Sequence, residues 1–128
     1  MVGAFRGAFV SDTKTYEGGC HCGRVRFRVE TALTQAIECN CSICGKRGAL
    51  WAPLKAPQFT LLSGEDALTD YQFARKKVHH LFCEGCGVGA FSRGTAPNGD
   101  EMVMANVRCL DGVDIAALKL RSFDGKSL

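Results

Sequence analysis

Seven of the eight cysteines in this 128-residue chain stand in three short runs, Cys20-x-Cys22, Cys39-x-Cys41-x-x-Cys44 and Cys83-x-x-Cys86. Thiolates spaced so closely suit a soft tetrahedral ion, above all Zn²⁺. The central run packs three of them into six residues and leaves such an ion one ligand short. Three protein ligands with an exchangeable fourth position is the arrangement of catalytic zinc. Four protein ligands make a closed, structural site whose binding energy is folding energy.

Cys83 to Cys86, followed by Gly87, reads as a knuckle: the turn brings two sulfurs together and the glycine accepts the positive φ such turns need. On an extended chain residues i and i+2 face the same way, so Cys20 and Cys22 can grip one ion while His21 faces away as a solvent-exposed spacer. Pair and knuckle together give a closed four-cysteine site, which leaves Cys39, Cys41 and Cys44 to a second ion. A swapped pairing, with Cys39 and Cys41 joined to the late knuckle, is not forbidden. The first is preferred because two pairs complete each other, whereas three contiguous cysteines make most of a site unaided. Cys109, His79 or His80 would close the central site if one of them joined it, but no spacing ties them to it.

The elements that must position these residues are strands. Arg24 to Glu30 alternates charged and apolar residues, a half-buried strand with Val25, Phe27 and Val29 inward. Ile37 to Asn40 leads into the central run, and Gly45-Lys46-Arg47-Gly48 reads as a turn after it. Leu50 to Ala52 and Phe59 to Leu62 are further strands, separated by Pro53 and Pro57. Leu68 to Phe73, Val78 to Phe82, Val88 to Ser92 and Glu101 to Val107 complete the set. Asp111 to Leu118 offers a short helical turn, and the tail after Phe123 reads as frayed.

Residues 1–15 read as a leader or edge segment and 16–128 as a single zinc-binding domain, mainly β with little helix. No stretch has the length of a signal peptide core or a membrane span, so the reducing cytosol is the expected compartment, where clustered cysteines mean metal or redox chemistry. The formal charge of +3 counts every thiol as neutral; with seven thiolates on two divalent ions the balance falls to about zero, so charge makes no case for nucleic acid. Basic residues are scattered and not interleaved with aromatics, which also argues against a nucleic-acid platform. A CxxC redox protein would need βαβ surroundings that the pattern lacks.

Four ordered motifs carry a family resemblance: Gly18-Gly19-Cys20-His21-Cys22-Gly23-Arg24-Val25-Arg26-Phe27, Cys39-Asn40-Cys41-Ser42-Ile43-Cys44, Phe82-Cys83-Glu84-Gly85-Cys86-Gly87 and Asn106-Val107-Arg108-Cys109-Leu110-Asp111. Together they resemble the glutathione-dependent formaldehyde-activating enzyme family, which includes centromere protein V relatives. The resemblance spans about Tyr16 to Asp114. It implies an Mss4-like fold of folded-over antiparallel β-sheets stapled by zinc. It also implies a structural zinc on Cys20, Cys22, Cys83 and Cys86, and a more exposed catalytic zinc on Cys39, Cys41 and Cys44. The family often has a basic residue directly after the third cysteine of the central run; here that position is Gly45, and the cations stand at Lys46 and Arg47.

The reaction so implied joins glutathione and formaldehyde reversibly into S-hydroxymethylglutathione, making the chain a zinc-dependent carbon–sulfur lyase whose partners are a small thiol and an aldehyde. Lys46 and Arg47 are the expected grips for the carboxylates of glutathione, and Trp51 a candidate wall of the pocket. Glu38, His79 and His80 are base candidates by chemistry alone. The alternative is a non-catalytic, zinc-stabilised module that contacts protein or nucleic acid.

Overall fold

A computed structural model of the protein describes residues 13–73 and 78–127. In chain order the strands are β1 (Lys14–Gly19), β2 (Arg26–Thr31), β3 (Gln35–Cys39), β4 (Trp51–Lys55), β5 (Phe59–Ser63), β6 (Leu68–Tyr71), β7 (Val78–Cys83), β8 (Gly89–Thr95), β9 (Glu101–Asn106) and β10 (Lys119–Phe123). The one α-helix among the described residues, α1 (Ser42–Arg47), follows β3. Short 3₁₀ turns, including Val107–Cys109 and Ile115–Ala117, fill the connections. No helix among the described residues is long and apolar enough to cross a membrane.

Two sheets result, one of three strands in the order β1-β2-β5 and one of seven in the order β10-β3-β4-β9-β8-β7-β6. Every pairing but one is antiparallel; β10 lies parallel to β3, with Phe123 opposite Cys39. The architecture is mainly β and matches the Mss4-like expectation. The alternation read from Arg24 to Glu30 holds: Val25, just before β2, and Phe27 and Val29 within it are fully buried. Phe27 and Phe59 of the small sheet meet Phe91 of the large one, with ring centroids 4.6–6.2 Å apart, and this aromatic trio joins the sheets.

Local expectations are corrected at several places. Gly45 to Arg47 is not a turn but the body of α1, which stops at Gly48 in the left-handed conformation, φ 70°. Pro53 does not end a strand; it sits within β4 opposite Met104. Among the described residues β3 pairs with β4 only at Ile37 and Trp51, so from Ala52 onward that side of β4 has no strand partner there, and proline is tolerated. The segment after Leu118 holds an unanticipated strand, β10. Beyond Phe123 the tail is not frayed but turns through Gly125–Ser127 against β3. Of the leader or edge segment, residues 1–12 lie outside the described residues, and Lys14 and Thr15 are part of β1 at the edge of the small sheet.

Candidate metal centre

The two sheets place the cysteines in two groups. The sulfurs of Cys20, Cys22, Cys83 and Cys86 all lie within 4.8 Å of one another, and so do those of Cys39, Cys41 and Cys44. The pairing is therefore pair with knuckle and not the swapped one. His21 is exposed and outside both groups.

The four-cysteine group is built from two tight turns. In the first, Cys20 N–H donates to Val25 C=O (3.0 Å) and Val25 N–H donates to Cys20 Sγ (3.3 Å). In the second, Gly87 N–H donates to Cys83 C=O (2.7 Å), and Gly87 takes the positive φ of 81° foreseen for it. Cys22 Sγ stands 3.6 Å from both Cys20 Sγ and Cys83 Sγ. A tetrahedral ion with metal–sulfur bonds of about 2.3 Å needs sulfurs roughly 3.8 Å apart, so the donor set fits such an ion with little movement. Backbone N–H groups of Val88 and Cys22 aimed at its sulfur bring the Cys86 thiol down to about 6, toward the thiolate a metal requires.

The three-cysteine group takes one sulfur from each of three local settings. Cys39 ends β3, Cys41 occupies the N-cap position of α1, and Cys44 lies in its first turn. Cys41 N–H points at Cys39 Sγ (3.4 Å), and the indole N–H of Trp51 donates to Cys44 Sγ (3.2 Å). Ile37, Ile43, Ala49 and Met104 pack round them. Burial pushes the Cys44 thiol up to about 12 although the Trp51 N–H acts the other way, and burial also raises Cys39. Burial acts on Cys41 as well, but there the N–H of Cys44 and the neighbouring thiols prevail and its pKa is lowered. With three thiols and no fourth Cys, His, Asp or Glu beside them among the described residues, this group could hold a metal ion.

Sequence-based candidates outside the cysteine runs fall into different places. Cys109, His79 and His80 do not join the three sulfurs. Cys109 packs on the main core near Gly89 C=O; His79 pairs with Asp70; His80 is 8% exposed, stacks on Phe73, and has no hydrogen-bond partner for Nδ1 among the described residues. Glu38 is exposed on β3. Trp51 is only 4% exposed and stands behind Cys44 as a hydrogen-bond donor, so it is a buried support of the sulfurs and not a pocket wall. Lys46 and Arg47 are both exposed on α1. The Arg47 guanidinium lies 5.6 Å over the Phe82 ring and has no carboxylate partner among the described residues. Sequence reasoning missed the tail, Asp124 to Ser127, which lies against Cys39 and Asn40.

A profile of the glutathione-dependent formaldehyde-activating enzyme family matches residues 15–123, nearly all of the described chain. The chain belongs to that family. The crystal structure of a Rhodobacter sphaeroides protein is similar to this formaldehyde-activating family member, with a TM-score of 0.71 and 31% identity, covering 82% of this chain and 99% of that one. Family membership points to a glutathione-related function, and the two cysteine groups are where the chain could bind metal.

Proposed function

We propose that the protein is a zinc-dependent carbon–sulfur lyase that forms or cleaves S-hydroxymethylglutathione or a closely related thiol–aldehyde adduct. The observation that supports the reading is the three-cysteine group, which assembles three soft ligands, one fewer than a closed tetrahedral site uses. Cys20, Cys22, Cys83 and Cys86 would hold a structural zinc, and Cys39, Cys41 and Cys44 a catalytic one. When bound at the open site, zinc supplies acidification of a thiol and polarisation of an aldehyde oxygen.

The chain's own residues do the rest. Trp51 stabilises the Cys44 thiolate through its N–H, and the packing of Ile37, Ile43 and Met104 keeps water from the inner side of the sulfurs. Arg47, held over Phe82 three residues beyond Cys44 and free of any carboxylate partner among the described residues, offers a guanidinium to the carboxylates of glutathione. Lys46 adds a second exposed cation. The addition needs no oxidant: the sulfur–carbon bond forms, the carbonyl π pair becomes the new hydroxyl, and that oxygen gains the proton that sulfur gives up. Water can carry this proton, so no dedicated base is required.

Exchange NMR of glutathione with formaldehyde tests the reading. Protein carrying both ions is expected to speed interconversion of free and hydroxymethylated glutathione above the spontaneous rate; no acceleration at full occupancy would sink the assignment.

A further inference from the structure

The wall of the three-cysteine group that lies farthest away in sequence is the C-terminal turn, and the motif itself holds it there. β10 ends with Phe123 opposite Cys39, and Asn40 N–H donates to Phe123 C=O (3.2 Å). The Asn40 side chain then uses both ends of its amide on the tail: Nδ2 donates to Asp124 Oδ1 (2.9 Å), and Oδ1 accepts from the Lys126 N–H (2.9 Å). Ser127 Oγ closes the turn on Asp124 Oδ2 (2.6 Å).

Between these two clamped residues lies Gly125, pressed on Cys39 Sγ. A β-carbon there would stand 2.6 Å from Cys39 Sγ and 3.2 Å from Cys41 Cβ. Apolar contacts settle near 3.5–4.0 Å, so no side chain fits unless the turn lifts. The middle residue of Cys39-Asn40-Cys41 is thus a latch, and the glycine it positions is the residue of the tail that meets the ligand set.

We propose that Asn40 and Gly125 are positioning residues of the open site, holding the turn 124–127 as a wall that limits how chelators and bulky thiols reach an ion on Cys39, Cys41 and Cys44. The proposal rests on the reading that these cysteines hold an ion. It adds a selectivity device: thiols enter past a backbone wall with no side chain at its contact point, and the wall's placement depends on one amide.

The test uses full-length protein loaded with zinc, and Asn40→Ala, Gly125→Ala and the double variant. Transfer of zinc to the chromogenic chelator 4-(2-pyridylazo)resorcinol is followed in time, after counting ions per chain. Two ions are expected in each protein, released in two phases. The faster phase, from the three-cysteine site, should quicken about tenfold or more in each single variant, the scale seen when outer-shell partners of a metal are removed. The double variant should be no faster than the singles, because both changes release the same turn. The slower phase, from the four-cysteine site, should not move. Wild-type release from both sites in the variants overturns the proposal, as does a uniform quickening of both phases, which would mark general loosening. A single ion in the wild-type protein would instead overturn the open-site reading beneath it.

Discussion

Replacing Trp51 by Phe isolates one atom beside the three-cysteine group. The ring stays apolar and buried, while the N–H that points at Cys44 Sγ from 3.2 Å is lost. Burial already drives the Cys44 thiol up to about 12 against the pull of that N–H. Without it the proton holds the sulfur more tightly and competes better with an ion. A hydrogen bond to a charged acceptor contributes about 1.5–3 kcal/mol, which at about 1.4 kcal/mol per decade weakens ion binding roughly 10- to 150-fold. The smaller ring also leaves a void, but that penalty falls on the ion-free and ion-bound protein alike and cancels from the affinity. Cobalt titration against a competing chelator, read from the thiolate-to-metal absorption, gives both sites separately. The four-cysteine site, remote from Trp51 among the described contacts, should keep its affinity. A three-cysteine site within twofold of wild type in a folded Trp51→Phe protein would refute the argument.

Three further outcomes are expected. Cys83→Ser should abolish the cooperative thermal transition followed by circular dichroism, since a structural zinc contributes on the order of 10 kcal/mol to folding, whereas Cys44→Ser should keep the transition and lose glutathione–formaldehyde exchange. Arg47→Ala should raise the KM for glutathione roughly fivefold with kcat little changed, as expected for an exposed charge contact of about 1 kcal/mol; Arg47→Lys should restore only part, because the guanidinium plane over Phe82 is lost. Burial first, then the Arg47 charge, lowers the pKa of His80, so below pH 6.5 the unfolded chain takes up a proton that the folded one refuses. His80 therefore favours the fold above that pH and ceases to as the pH falls, and denaturant titrations should show a shallower loss of stability just below pH 6.5 in His80→Gln than in wild type.

Much of the site could be read from spacing because its geometry is local. Cys39, Cys41 and Cys44 come together through six consecutive residues, and the alternation in β2 follows from one buried face. The four-cysteine group was legible for another reason: two half-sites of complementary kind leave few ways to combine. What could not be read depends on contacts between distant residues. Ser42 to Arg47 has no apolar periodicity long enough to announce a helix, and α1 is set by its strand and its cysteines. Lys119 to Phe123 lies exposed along its whole length, so no buried face marks it as a strand; its place comes from pairing with β3. Trp51 belongs to a type that serves core and pocket equally well, and only the position of its N–H decides. Asn40 looks like a spacer until Asp124 and Lys126 appear beside it.

The two cysteine groups differ in how much chain must exist before each can assemble. The three-cysteine group is complete once residue 44 has been made, but its partner must wait for Cys86, and its tail wall for Ser127. At about 5–20 residues per second, a chain emerging N-terminus first carries the smaller thiol cluster for several seconds before the larger can close. For that interval it can meet cellular zinc without the wall that later stands beside Cys39. The order of translation thus makes the three-cysteine group available to an ion first and the four-cysteine group second.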